Sequence, residues 1–332
     1  MQRIGLVGSG FMAETHANCY QEIPGAEVVA VASLEDDKEA FAAAHTPDAD
    51  TYDDAEQMMD EADLTAVDIC SPTPTHRPFI EAAVDRGLSA FCEKPLARTA
   101  ADADAIVDAV ADADVTFMTG HVLRYFPEYV EAKRRIDAGE IGAPGTMTTE
   151  RLSSPPRYGT NSWFGDKEQS GGVLLDMAIH DFDYLRWVVG EVDRVFARTA
   201  EWDDGHLHQH SSVVLRFEDG TVGHVEASWA YPEGSPFVTS YEFAGDEGLL
   251  EFDARDENAV RVSGGAEGAN APASPLAVSP YTKELEHFVE CAETGREPEI
   301  TPDDARQAVK IALAAIESSE RGEPVAPAEV GT

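Results

Sequence analysis

Asp176, His180 and Asp183 stand four and three residues apart in the stretch Gly171-Gly172-Val173-Leu174-Leu175-Asp176-Met177-Ala178-Ile179-His180-Asp181-Phe182-Asp183. Side chains three and four apart lie on one face of a helix, so the spacing predicts a helix that gathers these three groups into one small volume. An imidazole titrates near neutral pH, and a neighbouring carboxylate orients and tunes it, so the grouping suits proton transfer. A solvated polar face or a structural Asp–His pair would show the same spacing, since perturbed pairs collect at functional sites only statistically. The segment alone leaves both readings open.

Further candidates lie upstream, at the ends of apolar runs that read as buried parallel strands. The run Ser89-Ala90-Phe91-Cys92 leads into Glu93-Lys94-Pro95. A lysine there could act as a charged hydrogen-bond donor or as a base of lowered pKa. An ordinary surface pair between Glu93 and Lys94 is the plainer alternative. The run Ala66–Cys70 is followed by Ser71-Pro72-Thr73-Pro74-Thr75-His76, where two prolines stop the strand and fix a loop at its carboxyl end. Ligands of doubly wound sheets bind at that end.

The first run, Arg3-Ile4-Gly5-Leu6-Val7, is followed at once by Gly8-Ser9-Gly10-Phe11-Met12-Ala13 and then by a helix-compatible stretch from Glu14 to Glu22. This is G-x-G-x-x-A between strand and helix, the context that the dinucleotide fingerprint requires. Gly8 would make the tight turn, Gly10 would let the backbone approach a pyrophosphate, and Ala13 would allow close packing of helix on strand. The N–H groups of the helix start, around Phe11 and Met12, would face the phosphates. The second run, Glu27 to Ser33, should end beside the adenosine ribose. An acidic residue there favours NAD. Ser33 stands in that place, with Leu34, Glu35, Asp36 and Asp37 after it, and Lys38 is the nearby cation. The choice between NAD and NADP stays open.

These features together resemble the Gfo/Idh/MocA family, the glucose–fructose oxidoreductase and inositol dehydrogenase relatives. The resemblance runs from the GSGFMA turn through Ser71–His76, Glu93-Lys94-Pro95 and Gly120-His121-Val122-Leu123-Arg124-Tyr125-Phe126-Pro127. It continues through the Gly171-Gly172…Asp176…His180 segment to the tail around Tyr281–Val289 and Thr301–Ala305. It implies a catalytic set of Lys94, Asp176 and His180. It also implies cofactor contacts from Gly8, Gly10, Phe11, Met12, Ser33, Ser71, Pro72, Thr73, His76, Glu93 and Lys94. Some relatives carry tyrosine where His180 stands, which places this chain nearer the inositol-dehydrogenase branch.

The implied chemistry is reversible oxidation of a secondary alcohol. His180 would be the general base, Lys94 would stabilise alkoxide-like charge, and Asp176 would orient the substrate. Asp183 is a candidate for a neighbouring substrate hydroxyl. Trp163 could stack on a sugar ring, with Arg124, Tyr125 and Arg157 as polar contacts. Equally, Trp163 could anchor its loop and the arginines could pair with carboxylates. A monosaccharide, cyclitol or related polyol is the implied substrate. Two other functions use the same fold: a redox-neutral, NAD-using glycosidase, and a non-catalytic dinucleotide-sensing regulator, whose triad is typically degraded.

Sixty-three acidic residues against 24 basic ones give a formal charge of −39. Such a charge argues against nucleic acid and anionic membranes as partners. It does not signal disorder, because 43% of residues are hydrophobic and periodic patterns continue throughout. Self-repulsion at this density is screened in concentrated salt, so the chain reads as a halophile's cytoplasmic protein. Cys19, Cys70, Cys92 and Cys291 form no C-x-x-C pair and read as buried thiols rather than disulfides or metal ligands. No metal is expected. His206-Leu207-His208-Gln209-His210 puts three histidines on one face of an extended segment, and a solvated strand edge or subunit contact is the reading preferred over a metal site. The first residues already form a strand, so no signal peptide or membrane-spanning segment is expected.

The organisation expected is α/β. Residues 1–120 alternate strand and helix as a Rossmann dinucleotide-binding domain, ending in the strand Thr116–Gly120. Residues 121–332 form a substrate-binding and oligomerisation domain of α+β type. Its runs at Thr146–Leu152, Val192–Ala200, Ser212–Phe217, Val222–Trp229, Val238–Phe243 and Gly248–Phe252 suggest a large, mostly antiparallel open sheet. Relatives use that open face to form homodimers or homotetramers. Gly264–Pro275 reads as a surface loop, and helices near Tyr281–Gly295 and Pro302–Arg321 are expected to pack back near the first domain.

Overall fold

The computed structural model describes residues 1–35, 38–156, 163–203, 207–256, 260–264 and 278–331. They divide into two compact units, one of residues 1–122 and 278–306, the other of the described residues of 123–277 together with 307–332.

In the first unit the elements run β1 (Gln2–Val7), α1 (Phe11–Tyr20), β2 (Ala26–Ala32), α2 (Lys38–His45), β3 (Asp50–Tyr52), α3 (Ala55–Glu61), β4 (Ala66–Ile69), α4 (His76–Asp85), β5 (Ser89–Glu93), α5 (Ala100–Ala111) and β6 (Phe117–Gly120). The strands pair in parallel in the order β3-β2-β1-β4-β5-β6. This is the doubly wound order of the Rossmann fold, and its topological switch point falls between β1 and β4. β1 stops at Gly8, β4 before the proline-containing loop Ser71–His76 and β5 before Lys94-Pro95, and because the strands are parallel these loops lie on one edge of the sheet. Leu6, Ala13, Ala17, Val31 and Phe41 form a buried cluster between α1 and the sheet. Ala13 is fully buried, as the close helix–strand approach requires.

The second unit holds α6 (Pro127–Asp137), β7 (Pro144–Leu152), α7 (Lys167–Ser170), α8 (Gly172–Asp176), α9 (Ile179–Val189), β8 (Val192–Asp203), β9 (Leu207–Phe217), β10 (Val222–Ser228), β11 (Val238–Gly245), β12 (Gly248–Asp253) and β13 (Val260–Gly264). The chain ends with α10 (Pro280–Thr294), which packs on α1 of the first unit, and α11 (Pro302–Arg321). The second sheet has the order β13-β12-β11-β7-β10-β9-β8, in which only β7 and β10 pair in parallel. The fold class is therefore the expected one, with a Rossmann unit and a second unit built on a mostly antiparallel open sheet. Buried and less buried positions alternate along β9, so one face of the sheet packs inward and the other looks out. Gly264 closes β13; the rest of the stretch to Pro275, read from sequence as a loop, lies outside the described residues.

The single helix expected from Gly171 to Asp183 is a correction: the stretch is two helices. Gly171 and Gly172 both have positive φ, 75° and 70°, which breaks the chain between α7 and α8. Beyond Asp176 the ladder widens. The N–H groups of both Met177 and Ala178 donate to the Val173 carbonyl, at 3.0 and 2.9 Å, and α9 starts afresh from Ala178. A five-residue span of this kind is a π-type turn, and it shifts the phase of α9 against α8.

Candidate active site

The site residues of the first unit sit at the carboxyl ends of the central strands. Gly8 follows β1 with φ 117°, and its N–H donates to the Ala32 carbonyl at 2.8 Å. A Cβ at Gly8 would stand 2.8 Å from the Cys70 carbonyl oxygen, so the turn touches the end of β4 closely. At Gly10 a Cβ would meet no atom within 4 Å, and α1 begins there with no side-chain cap. The N-terminus of α1 and the open space over Gly10 fit a dinucleotide pyrophosphate. Phe11, next in line, is exposed, and Met12 follows it in the first turn.

Ser33 ends β2 and hydrogen-bonds Ser9 Oγ through its own Oγ at 2.8 Å, while accepting from the Glu35 N–H. The position expected to face the ribose is thus tied to the fingerprint turn. Lys38, the only cation noted near it, lies 2.5 Å from the Asp53 carboxylate.

After β4, Ser71 Oγ and Thr75 Oγ1 bond at 2.7 Å, and Thr75 also donates to the Pro72 carbonyl. Pro72 is exposed on the crown of this loop and Thr73 is buried beneath it. His76, one of the residues expected at the cofactor, is buried, with Nδ1 2.9 Å from the Pro95 carbonyl and Nε2 2.9 Å from the Ser71 carbonyl. Its ring joins the loop after β4 to the loop after β5, a positioning task. Burial pushes the His76 pKa below the usual histidine value, against the pull of the two carbonyls. Glu93 ends β5, is almost wholly buried, and accepts the Lys94 N–H at 3.0 Å through Oε2. The Lys94–Pro95 peptide is cis.

In the second unit, every residue from Ser170 to Leu185 is buried except Asp176 and His180. The two groups with chemistry to offer are the two that leave the interior. Asp183, three residues after His180 on α9, is buried. It is 1% exposed and held by Arg124 at two points, Nε to Oδ2 at 2.9 Å and Nη2 to Oδ1 at 2.6 Å. Arg124 and Asp183, the residues expected at the substrate, are thus paired with each other in a bidentate ion pair. Arg124 also lies 5.3 Å from the centre of the Trp187 ring. Tyr125 is buried. Trp163 is half-buried in a short 3-10 turn, and Arg157 lies outside the described residues.

Three positioning groups escaped the sequence reading. Arg151 on β7 pairs with buried Asp181 at 2.8 and 3.2 Å. Gln209 on β9 accepts the Val173 N–H at 2.7 Å, capping α8, and its amide donates to Glu201. His16 on α1 lies between Asp68 and Glu93. The pairs span long sequence separations, so no local pattern announces them; only an Asp inside the apolar run of β4 hinted at a buried partner.

His16, Asp68 and Cys70 bring ligand-type atoms within 4.8 Å of one another. Nδ1 of His16 is 2.9 Å from Asp68 Oδ2, a proton-sharing distance. Ligands on one tetrahedral zinc would stand apart by roughly 3.3 Å or more, so the cluster reads as hydrogen-bonded rather than metal-binding. In the histidine-rich segment, His208 stacks on Trp202 with ring centroids 5.5 Å apart, and His210 Nε2 lies 3.8 Å from Glu226. His206 lies outside the described residues. The four cysteines are free thiols, with Cys19, Cys92 and Cys291 buried.

Comparison with known proteins agrees with this geometry. Residues 2–121 match the family model described as "Oxidoreductase family, NAD-binding Rossmann fold" of GFO/IDH/MocA proteins. Residues 129–251 match the GFO/IDH/MocA C-terminal domain. The chain is 29% identical to scyllo-inositol 2-dehydrogenase (NAD(+)) of Bacillus subtilis, over 97% of this chain and 95% of that one. It is 28% identical to D-xylose 1-dehydrogenase (NADP(+)) 2 of Haloferax volcanii, over 90% and 91%. A solved levoglucosan dehydrogenase in complex with NADH and levoglucosan is similar throughout, with TM-score 0.87, 25% identity and full coverage, 100%, of both chains.

Proposed function

Because the chain belongs to the Gfo/Idh/MocA family of oxidoreductases, we propose that it oxidises a secondary alcohol of a sugar, cyclitol or related polyol with NAD or NADP, and runs the reverse reduction. The observation that carries this reading is the partial exposure of Asp176 and His180 alone on a segment otherwise locked in the core. A bound nicotinamide would supply the hydride acceptor. His180 removes the hydroxyl proton as hydride leaves the carbinol carbon. Lys94 donates a hydrogen bond to the reacting oxygen and stabilises its developing negative charge. Asp176 orients the substrate. Gly10 and the first turn of α1 hold the pyrophosphate, Ser33 lies towards the ribose, and Ser71, Pro72 and Thr73 flank the bound cofactor. Tyr125 and Trp163 are the remaining candidates for contact with the polyol.

The test is absorbance of reduced nicotinamide with NAD and with NADP across aldoses, cyclitols and sugar acids in concentrated KCl. Turnover of one polyol, lost by Lys94→Ala and His180→Ala, is the expected result. Tight binding of NAD(H) or NADP(H) with no turnover of any polyol would overturn the reading in favour of a sensor or redox-neutral enzyme.

The charge of −39 supports a cytoplasm of high salt as the working place. Among the described residues, no helix is long and apolar enough to cross a membrane. Unfolding midpoints that rise with KCl are expected; a midpoint independent of salt would count against a halophile. The outward face of the second sheet carries Val214 and Val222, 41% and 42% exposed, on paired strands β9 and β10. A second copy of this chain is the cover that such a face fits. Light scattering that returned a monomer at working concentration would remove that assignment.

A further inference from the structure

We propose that His16 is a permanently protonated, buried cation that positions Lys94 by way of Glu93. The proposal deepens the reading of Lys94 as hydrogen-bond donor to the reacting oxygen and rests on it. His16 lies on α1, two turns past Gly10, and is fully buried. Its Nδ1 is 2.9 Å from Asp68 Oδ2, and its Nε2 is 3.3 Å from Glu93 Oε1. Opposite edges of one imidazole thus face two carboxylates. A neutral ring has one N–H, and its other nitrogen would turn a lone pair on a carboxylate; only the imidazolium has a proton for each. Without that charge two carboxylates would be buried with no cation between them, a costly arrangement.

The other groups around the ring agree. Cys70 Sγ lies 3.2 Å from Nδ1 and 3.3 Å from Asp68 Oδ1, and burial raises its pKa so that it stays a thiol. Tyr20, on the same helix, lies close to Asp68, and burial together with that carboxylate keeps it a phenol. Phe91 meets the ring edge-on at 5.5 Å. Burial is the largest single influence and works against a charged His16, but the combined attraction and hydrogen bonding of its neighbours, Asp68 first, lift the pKa well above the usual histidine value. Burial likewise works most strongly against a charged Glu93, and His16 and Lys94 together outweigh it, bringing its pKa below the usual value.

Glu93 passes the constraint on. One oxygen faces His16 and the other accepts the Lys94 N–H at 3.0 Å. Gly120 on β6 makes room: a Cβ there would stand 3.3 Å from Glu93 Oε1. The helix whose start fits the pyrophosphate is therefore joined to the lysine backbone through two side chains. His16 and Glu93 are positioning residues; Lys94 alone would touch the reacting atoms.

The test combines histidine-selective NMR with kinetics. His16→Gln assigns the His16 signals among the ten histidines. The expected result is a ring carrying both N–H protons from about pH 6 to pH 9, where a free histidine would have lost one. A ring with one N–H, titrating near the ordinary value, overturns the proposal whatever the activity. In kinetics, His16→Gln and Glu93→Gln should each lower kcat by about 10- to 100-fold with less change in KM. The double variant should be no slower than the worse single one, because the two act as a unit. Circular dichroism and melting in KCl identify a variant that fails to fold, and Glu93→Asp, which keeps the charge, should recover part of the rate. If Lys94→Ala is inactive while folded His16→Gln and Glu93→Gln keep full kcat, the positioning role is overturned and the reading of Lys94 survives. If Lys94→Ala keeps full activity, that reading fails and the positioning proposal falls with it.

Discussion

Arg124 and Asp183 meet at two points, 2.9 and 2.6 Å apart, with 1% of each side chain exposed. Two residues earlier Asp181 is held in the same manner by Arg151. His180 therefore leaves the interior from a helix whose first turn is pinned on its inner side by two guanidinium groups. Tyr184 adds a third anchor, its hydroxyl donating to the Tyr129 carbonyl at 2.8 Å.

Removing one partner of such a pair strands a buried charge. Arg124→Ala or Arg151→Ala should lose about 3–5 kcal/mol of stability. The double variant Arg124→Met/Asp183→Leu should recover most of that loss, since apolar side chains of similar volume need no counter-charge. Urea unfolding in KCl reads both effects; a small loss for Arg124→Ala would mean that water reaches the pair.

The two fingerprint glycines should respond in opposite ways. Gly10 has φ −81°, open to any residue, so Gly10→Val should fold normally and lose binding of NADH, followed by its fluorescence. Gly8→Ala meets both a φ of 117° and the Cys70 carbonyl at 2.8 Å, so it should lower the melting temperature. Retained NADH affinity in Gly10→Val would mean that the space above Gly10 is not used.

Ser33→Asp should shift preference towards NAD. The new carboxylate can accept from a ribose hydroxyl and repels a 2′-phosphate, so discrimination of about tenfold or more is expected. The ratio of kcat/KM for the two cofactors measures it. An unchanged ratio would place Ser33 away from the ribose.

His76 gives a pH dependence with a definite sign. Its folded pKa lies below the unfolded value of about 6.5. The unfolded chain then binds the proton more readily, so the stability due to a neutral His76 is fully present above about pH 6.5 and is lost as pH falls towards the depressed folded value. His76→Asn should be less stable than the parent near neutrality, with the gap narrowing on acidification. His16, with a raised pKa, acts in the opposite sense: its contribution is full below about pH 6.5 and is lost as pH rises through the folded value. Melting curves of parent and variants across pH separate the two.

Much of the Rossmann unit was legible because its strands are apolar runs that stop abruptly. Val7 before Gly8 and Ile69 before the Ser71–His76 loop mark strand ends, and the structure puts both at the switch point. The three-residue β3 has too little apolar character to register, and β13 gave no signal among its polar neighbours. The Gly171–Asp183 stretch misled for a physical reason. Helical spacing presumes an unbroken ladder, and the wide turn at Val173–Ala178 resets the phase of Asp176 against α9; on α9 itself Asp183 is buried against Arg124 while His180 is partly exposed. Charged residues that pair across distant strands, such as His16 with Asp68 or Arg151 with Asp181, leave no periodic trace. Their partners are chosen by sheet register, which a sequence read locally does not reveal.

The wide turn also governs how this stretch can change through descent. Deleting or inserting one residue between Val173 and Ile179 would rotate everything after it by about 100°. Asp181 and Asp183 would swing away from their arginines, and Asp181 on deletion or Ile179 on insertion would take the outward place of His180. Substitution at the outward positions leaves the anchors untouched. Chain length here is consequently under far stricter inheritance than side-chain identity, and homologous sequences should align across it without gaps even where their residues differ.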